Sequence, residues 1–296
     1  MKKSVSLLLA GLMLCGALAG CGGSNDSAES TTSTDTESTG TSGAIHVVSR
    51  EDGSGTRSAF VELTGVEDDN GDNTTVEAEI ANKTDVVLTT VAGNEAAIGY
   101  VSLGALNDTV KAVKVDGVEA TVENVKSGDY TLSRPFNIAT KGEPTGVAKD
   151  FINFILSADG QAIVEEENYI KVDDAAPAFT SDGSSGQIAV GGSSSVSPVM
   201  EKLIEAYQTV NPNAKIELQT SDSTSGMTGA MDGTFAIGMA SRELKDEEAA
   251  ELTGTAIALD GIAVVVNPAN TVEDLTMDQI RSIYVGETTD WADVAA

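Results

Sequence analysis

The chain has few of the residues on which most metal and nucleophilic chemistry depends. Its 296 residues include two cysteines and one histidine, His46. These numbers exclude metal clusters built from cysteine and histidine, and a Ser-His-Asp site would have to use His46. Because His46 falls inside a strand pattern, an ordinary place in a sheet is the simpler interpretation. Calcium sites made of carboxylates stay open, although no EF-hand loop is present. The sequence predicts no cofactor and no metal site.

Both cysteines, Cys15 and Cys21, lie at the start of the chain. Lys2 and Lys3 precede an uncharged stretch, and Leu18-Ala19-Gly20-Cys21 resembles a bacterial lipobox. Residues 1–21 are therefore expected to be a lipoprotein signal that is cleaved before Cys21, whose sulfur then carries lipid. A plain secretory signal is the alternative. An uncleaved membrane-spanning helix is disfavoured, because the apolar run is short for about 30 Å of hydrocarbon. The mature protein is expected outside the cytoplasm, anchored to the cell membrane, without a disulfide.

Basic residues are scarce beside acidic ones. The chain has 17 lysines and arginines against 46 aspartates and glutamates, a formal net charge of −29. Nucleic acid is a poor partner for such a surface. The same field repels small anions, so anion binding would need a local arrangement that overrides the net charge. Residues 22–43 have almost no side chains that a core could bury and predict a disordered tether.

Beyond the tether, short apolar strands alternate with helical patterns, which predicts an α/β fold. Thr276 and Gln279 form a predicted capping box, and residues 173–186 (DDAAPAFTSDGSSG) predict a linker. The predicted strands are Ala44–Ser49, Ala96–Leu103, Gln187–Val190, Ala214–Leu218, Phe235–Ala240 and Gly261–Val266, and the predicted helices are Val147–Leu156, Val199–Val210 and Met277–Tyr284.

Three segments share one design, a strand that runs into a Ser/Gly/Thr loop and then into a helix. They are residues 48–57 (VSREDGSGTR), 191–198 (GGSSSVSP) and 220–226 (TSDSTSG). Each junction offers unpaired backbone N–H groups, the positive end of a helix dipole and small hydroxyl donors. One such loop alone could be an ordinary capped helix. Three of them, one with Arg50 as a two-donor fork, predict a concave site for a small oxyanion.

Enzyme motifs are missing from these loops. The GSGTR of residues 53–57 lacks the Gly-Lys-Ser/Thr ending of a nucleotide P-loop, and none of the three loops contains Gly-x-Ser-x-Gly. The sequence therefore favours a binding protein over an enzyme.

Several of these segments together resemble phosphate ABC-transporter substrate-binding proteins of the PstS type. Residues 48–60 (VSREDGSGTRSAF) resemble the anion-binding signature of that family, and residues 192–198 (GSSSVSP) resemble its opening loop. Further similarities lie at residues 97–101 (AIGYV), 133–136 (SRPF), 240–244 (ASREL) and 260–263 (DGIA). The resemblance implies a two-lobed, periplasmic-binding-protein-like (type II) fold with mixed sheets and a hinge. It also implies that phosphate binds between the lobes and passes to the permease subunits of an ABC transporter.

The order of the segments departs from the family. Members of the family normally begin with the segment that here starts near Gly186, and the segment that here spans residues 44–172 normally follows it. The chain is thus similar to a circular permutant, in which residues 173–185 join the family's usual termini. This predicts a split lobe of residues 44–133 plus 261–296 and a continuous lobe of residues 134–260. A monomer is expected, and a swapped dimer of half-molecules is the alternative.

The resemblance also implies which residues contact phosphate. On the split lobe these are Arg50, Ser54, Gly55 and Thr56, and on the continuous lobe they are Ser194, Ser195, Ser223, Thr224, Ser225 and Ser241. Some family members have an Asp at the position of Arg242, and that Asp accepts a proton from phosphate. Asp222 lies in the right loop to replace it, with a solvated loop acid as the alternative. Arg57 and Arg242 either contact the ligand or balance nearby acids.

Two rival functions stay open. One is a binding protein for sulfate or another tetrahedral oxyanion. The other is a surface protein for adhesion or sensing that has lost transport.

Overall fold

The computed structural model describes residues 41–294. The predicted signal segment and nearly all of the predicted tether lie outside these residues. None of the helices in the described range has the length and apolar character needed to cross a membrane.

The secondary structure of residues 41–294 alternates strands with helices. In chain order the strands are β1 (His46–Arg50), β2 (Glu67–Asp68), β3 (Gly71–Asp72), β4 (Glu79–Ala81), β5 (Ala97–Ser102), β6 (Lys111–Ala112), β7 (Lys114–Val115), β8 (Ser133–Thr140), β9 (Ile170–Lys171), β10 (Gly186–Ser193), β11 (Ala214–Ser221), β12 (Ile237–Ala240), β13 (Thr253–Val266) and β14 (Asp274–Leu275). The helices are α1 (Gly55–Leu63), α2 (Thr84–Ala92), α3 (Val122–Ser127), α4 (Gly146–Ile155), α5 (Ala158–Glu166), α6 (Ser197–Val210), α7 (Ser223–Asp232), α8 (Asp246–Ala249) and α9 (Met277–Tyr284).

The predicted α/β alternation is confirmed. Each predicted strand and helix is present, with ends that differ from the prediction by a few residues, except that β13 is more than twice as long as expected. The capping box of α9 is also present: Thr276 Oγ1 accepts from the Gln279 N–H at 3.2 Å, and Gln279 Oε1 accepts from the Thr276 N–H at 2.8 Å. These features were predictable because they depend on residues close together in the sequence.

One mixed sheet organises the described residues. Its strand order is β11-β10-β12-β8-β13-β5-β1-β4, and β6 and β9 also pair with β13. The outer strands pair in parallel on each side, β10 with β11 and β12, and β1 with β4 and β5. The central pair, β8 with β13, is antiparallel. Parallel strands end at the same edge, so the loops that follow β10 and β11 leave the sheet side by side.

The long strand β13 changes partners along its length. It pairs with β8 up to Gly261, which lies opposite Ser133, and with β5 from Ile262, which lies opposite Ser102. We call this point, between Gly261 and Ile262 of β13, the strand crossing. The two largest hydrophobic clusters lie on either side of it. One holds buried side chains from residues 136–258, and the other holds those of residues 47–132 and 262–294 together with Ile170.

The predicted linker has no helix or strand between residues 173 and 185, but it is firmly attached. Asp150 of α4 is 1% exposed, and its carboxylate accepts from the Ser181 hydroxyl at 2.7 Å and from the Asp182 N–H at 3.0 Å. Phe179 packs edge-on against Phe154, with ring centroids 5.1 Å apart. The segment is therefore a docked connection rather than a loose one.

Candidate functional site

The three Ser/Gly/Thr loops of the sequence meet in the folded chain. Two of them follow the parallel neighbours β10 and β11, and the third follows β1. The loop after β1 touches the start of α7, where the Thr224 N–H donates to the Gly53 carbonyl at 3.1 Å. The predicted convergence of helix starts is therefore present in the described residues.

Buried hydroxyl groups form a connected set at this junction, which we call the hydroxyl cluster. Each member is at most 8% exposed. The members are Thr56, Thr84, Ser193, Ser194, Ser195, Ser223 and Ser241.

Short contacts connect the cluster across the two parts of the sheet. Thr56 Oγ1 lies 2.9 Å from Ser195 Oγ, and Thr84 Oγ1 lies 3.3 Å from both Ser194 Oγ and Ser195 Oγ. Ser193 Oγ donates to Ser241 Oγ at 3.0 Å. A hydroxyl can donate or accept by rotating its hydrogen, so the same atoms can turn their hydrogens toward an anion.

Arg50 is the cation of the cluster, and its side chain is almost fully buried, at 2% exposed. Its Nε and Nη2 atoms each donate to the Glu51 carboxylate at 2.8 Å. The other edge of the guanidinium faces the hydroxyls, with Nη2 3.1 Å from Ser194 Oγ and Nη1 3.4 Å from Thr84 Oγ1. Arg50 thus has one two-donor edge occupied by Glu51 and a second edge turned toward the cluster.

Tyr100 of β5 holds the end of β1 in place. Its hydroxyl lies 2.8 Å from Ser49 Oγ and accepts from the Arg50 N–H at 3.1 Å. Its ring stacks on that of Phe60, with centroids 3.9 Å apart. Burial raises the pKa of Tyr100, so its hydroxyl keeps its proton. A rigid aromatic pair therefore sets where the Arg50 backbone lies.

The start of α1 approaches the opposite loop very closely at Gly55. A Cβ atom at this position would lie 2.4 Å from Ser223 Oγ and 2.9 Å from Ser241 Oγ. Only glycine permits that approach. The N–H groups of Gly55 and Thr56 lie in the first turn, where a helix has no internal acceptor for them. Ser54 caps the same helix, because its Oγ accepts from the Arg57 N–H at 3.3 Å.

Comparison with known proteins places the chain in a family. A family model described as the PBP superfamily domain matches residues 25–159 and 177–296. The chain belongs to the PBP superfamily. It is 51% identical over 301 residues to a Streptococcus agalactiae serotype V protein named phosphate-binding protein PstS 2, an alignment that covers 99% of this chain and 98% of that protein.

Two further relatives differ in how much of the chain they match. A solved structure of a phosphate-binding protein of a phosphate ABC transporter from Streptococcus pneumoniae TIGR4 is 45% identical, covers 85% of this chain and 100% of its own, and has a TM-score of 0.70. A Bacillus subtilis protein named phosphate-binding protein PstS is 37% identical over 134 residues, which are 44% of this chain and 42% of that protein.

In this member of the PBP superfamily, Asp222 and Ser225 bond to each other rather than to the hydroxyl cluster. Asp222 caps α7: its Oδ1 accepts from the Ser225 N–H at 2.8 Å, and its Oδ2 accepts from the Ser225 hydroxyl at 2.6 Å. Ser225 is exposed. Thr224 lies at the edge of the cluster, where its Oγ1 accepts from Arg242 Nη2 at 3.3 Å. Of the α7 residues named from the sequence, Ser223 alone has its hydroxyl in the cluster.

The two arginines whose role the sequence left open both bind acids. Arg57 Nη1 donates to Asp52 at 2.7 Å, and Arg57 Nε donates to Asp72 at 2.7 Å. Arg57 also donates to the Arg50 carbonyl at 2.9 Å, so it helps to hold the end of β1.

Arg242 forms a two-point ion pair with Glu248, with N–O distances of 2.7 and 2.8 Å. Burial alone would raise the pKa of Glu248, but the hydrogen bonds from Arg242 and from the Lys245 N–H lower it. Within the described part of the chain, Arg242 and Arg57 each pair with nearby acids, and contact of either with the ligand stays a prediction.

Sequence reasoning missed two members of the cluster, Thr84 and Ser193. Thr84 opens α2 after the three-residue strand β4, which makes a fourth junction of the same design. The signal was present in Asn82-Lys83-Thr84, but so short a strand has little hydrophobic pattern to mark it. Ser193 is the last residue of β10, where alternation alone does not say which face its side chain takes.

The single histidine lies away from the cluster. His46 is in β1, as predicted, and its Nε2 is 2.8 Å from Glu79 Oε2. Among residues 41–294, no group of three or more histidine, cysteine, aspartate or glutamate side chains is arranged to hold a metal ion.

Proposed function

We propose that the protein binds inorganic phosphate between two lobes and delivers it to an ABC transporter. The observation that carries this proposal is the second edge of Arg50, which points two N–H groups at Ser194 and Thr84 inside a buried set of hydroxyls. A planar fork of donors suits two oxygens of one tetrahedral anion. The names of the S. agalactiae and S. pneumoniae relatives support the same ligand and the same transport role.

The binding residues in this proposal are those of the sequence prediction that meet in the structure, with two additions. Arg50 supplies the charge, and the helix start at Gly55 and Thr56 supplies backbone N–H groups. Hydroxyl donors come from both parts of the sheet. They are Thr56, Thr84, Ser193, Ser194, Ser195, Ser223 and Ser241. An anion can bind inside a chain of net charge −29 because these donors are buried and already oriented toward the site.

The two lobes of the proposal are residues 44–133 with 261–296, and residues 134–260. The division of the hydrophobic clusters at the crossing of β13 supports these boundaries. A hinge at that crossing would let the lobes close on the anion and open for release. The protein does no chemistry on its ligand in this account, so it is not an enzyme.

A permuted segment order is part of the proposal. One pairwise alignment covers 98% of the S. agalactiae relative, whereas the B. subtilis alignment covers 44% of this chain. A relative with its halves in the other order would align over only one half. The ends are also in contact: the Ile45 N–H donates to the Thr289 carbonyl at 2.8 Å, and the Trp291 N–H donates to the Gly43 carbonyl at 3.0 Å.

The membrane role rests on residues outside the described range. A lipid on Cys21 would hold the protein at the outer face of the cell membrane, and residues 22–43 would tether the lobes near the permease. Metabolic labelling with a palmitate analogue, compared between the wild type and Cys21→Ala, tests the anchor.

Calorimetric titration of the purified protein with phosphate, and separately with sulfate, tests the ligand. The wild type is expected to bind phosphate more tightly. Arg50→Ala should lower phosphate affinity about 100-fold or more, because it removes a buried charged donor. Arg50→Lys keeps the charge but loses the two-donor edge, so an intermediate loss is expected. Arg281→Ala is the matched control, since it removes the same charge from a half-exposed side chain of α9.

Two results would contradict the proposal. Tighter binding of sulfate would identify a different oxyanion as the ligand. Absence of phosphate binding, with Arg50→Ala indistinguishable from the wild type, would favour a surface protein for adhesion or sensing.

A further inference from the structure

Buried hydrogen-bonding atoms without a partner are concentrated at one place in the described residues. Four such side-chain atoms occur in residues 41–294, and three of them belong to Arg134 and Tyr169: Arg134 Nε, Arg134 Nη1 and the Tyr169 hydroxyl. Arg134 is 3% exposed and Tyr169 is 1% exposed. A buried donor without an acceptor lowers the stability of the fold, so a ligand that accepts hydrogen bonds at this site would be stabilising.

Arg134 lies next to the point where β13 changes partners. It faces Asp260 in the register of β8 and β13, one pair before β13 changes partners. Its Nη2 donates to Asp260 Oδ2 at 2.9 Å, and the Ser102 hydroxyl donates to Asp260 Oδ1 at 2.9 Å. Asp260 is fully buried. The pair accounts for one nitrogen of Arg134 and leaves the other two free.

Arg134 lines a cavity of about 390 Å³ together with Ser58 and Ala59 of α1 and with Arg242, the neighbour of Ser241 of the hydroxyl cluster. A Cβ atom at Gly104 would lie 2.6 Å from the Tyr169 hydroxyl. The next residue, Ala105, lines a cavity of about 320 Å³ together with Thr84 and Ser194 of the cluster. Arg134 and Tyr169 therefore adjoin elements that also line the candidate anion site.

The charges around Arg134 also favour an anion near its side chain. Burial lowers the pKa of Arg134, the carboxylate of Asp260 raises it, and the guanidinium of Arg50 lowers it again. Burial also raises the pKa of Asp260 to about 6, so Asp260 remains mostly ionised at neutral pH and pairs there with one nitrogen of Arg134. Two buried guanidinium groups that repel each other form a favourable place for an anion between them.

We propose that Arg134 is a second cationic group of the anion site, which donates to the bound phosphate through its free Nη1 and Nε hydrogens. The anion would then be held by Arg50 at the end of β1 and by Arg134 at the strand crossing. A phosphate bound to Arg134 would contact the strand crossing, about which the two lobes are proposed to close. This inference rests on the proposed phosphate site and adds a residue that the loop motifs do not contain.

A double variant separates this role from simple pairing with Asp260. Arg134→Met alone leaves a buried carboxylate without its partner and is expected to destabilise the fold. Arg134→Met combined with Asp260→Asn removes both charges, so stability should recover, while phosphate affinity stays roughly 10- to 100-fold below that of the wild type. Arg134→Lys should restore part of the affinity. Asp260→Asn should bind phosphate no more weakly than the wild type. Thermal unfolding and calorimetric titration with phosphate measure the two effects.

The outcomes distinguish this inference from the proposed function. No phosphate binding by the wild type would overturn the proposed function and this inference with it. Phosphate binding by the wild type, with the double variant within about threefold of it, would overturn the inference alone. A crystal structure of the wild type with phosphate gives a second answer that needs no variant. Arg134 Nη1 or Nε within hydrogen-bonding distance of a phosphate oxygen supports the inference, and a water in that place overturns it.

Discussion

Thr56 and Ser195 are 139 positions apart in the chain, and their hydroxyl oxygens lie 2.9 Å from each other. Thr56 is in the first turn of α1, and Ser195 lies in the loop that opens α6. Both are at most 1% exposed. The contact joins the two parts of the sheet at the point where the proposed phosphate would bind.

Replacing Thr56 with valine tests the contribution of that hydroxyl. Thr56→Val keeps the shape of the side chain but removes one donor and leaves Ser195 Oγ without this partner. We expect phosphate affinity to fall about tenfold, the effect of one buried hydrogen bond to a charged ligand. Calorimetric titration measures it. The control is Thr64→Val at the other end of the same helix, where the hydroxyl bonds to the Phe60 carbonyl. Equal affinities for the two variants would contradict the prediction.

Gly55→Ala tests whether the two sides must approach closely. The added methyl group would meet Ser223 Oγ at 2.4 Å and Ser241 Oγ at 2.9 Å, so the loops must separate. Phosphate binding should weaken by at least about tenfold, since the donors of the two sides would no longer converge. The control is Gly93→Ala, where the nearest atom would lie 3.3 Å away. Unchanged phosphate affinity in Gly55→Ala would show that the loops need not be so close.

Asp150→Asn tests the attachment of residues 173–185. The Asp150 carboxylate accepts from Ser181, Asp182 and the Tyr207 hydroxyl. Asparagine keeps one accepting oxygen, but its NH₂ group cannot accept and meets a donor instead, so the free energy of unfolding should fall by about 1 to 3 kcal/mol. Phosphate affinity should not change, because the site is elsewhere. Chemical denaturation of this variant is compared with that of Asp173→Asn, an exposed aspartate of the same segment. Equal stability of the two variants would argue against a structural attachment.

The same substitution should alter the dependence of stability on pH. Burial alone would raise the pKa of Asp150, but the hydrogen bonds from Asp182, Ser181 and Tyr207 lower it overall. A carboxyl group with a lowered pKa stabilises the fold above its unfolded value of about 3.9, and the contribution is lost as the pH falls through the folded value. The wild type should therefore exceed Asp150→Asn in stability from about pH 5 to 8, and the difference should shrink below about pH 4. A difference that persisted at low pH would contradict this assignment.

A reordered chain tests the proposed permutation. It would start at Gly186, run to residue 294, continue through a short linker to residue 44 and end at Val172. Because residues 43–45 already pair with residues 289–291, the new junction needs little rearrangement. The reordered chain is expected to bind phosphate with an affinity within about threefold of that of the original chain. A reordered chain that folds but loses phosphate binding would show that the segment order of the original chain is needed for the site.

Part of the fold was predictable from local pattern, and the failures have specific causes. β8 was not predicted as a strand, because it contains Pro135, and proline normally argues against a central strand. The helix α2 was missed because Val86, Val87 and their β-branched neighbours have low helix propensity. In both cases packing against neighbouring elements outweighed the local preference.

The amino-acid sequence by itself determined the α/β alternation, the helix starts rich in hydroxyl groups and the position of Arg50, since each depends on residues within a few positions of one another. Only the tertiary structure decided which groups meet. It brought Thr84 and Ser193 into the hydroxyl cluster, turned one edge of Arg50 toward Ser194 and placed Arg134 at the strand crossing. Contacts of this kind join residues far apart in the chain, and their geometry follows from the register of the whole sheet, which no local pattern records.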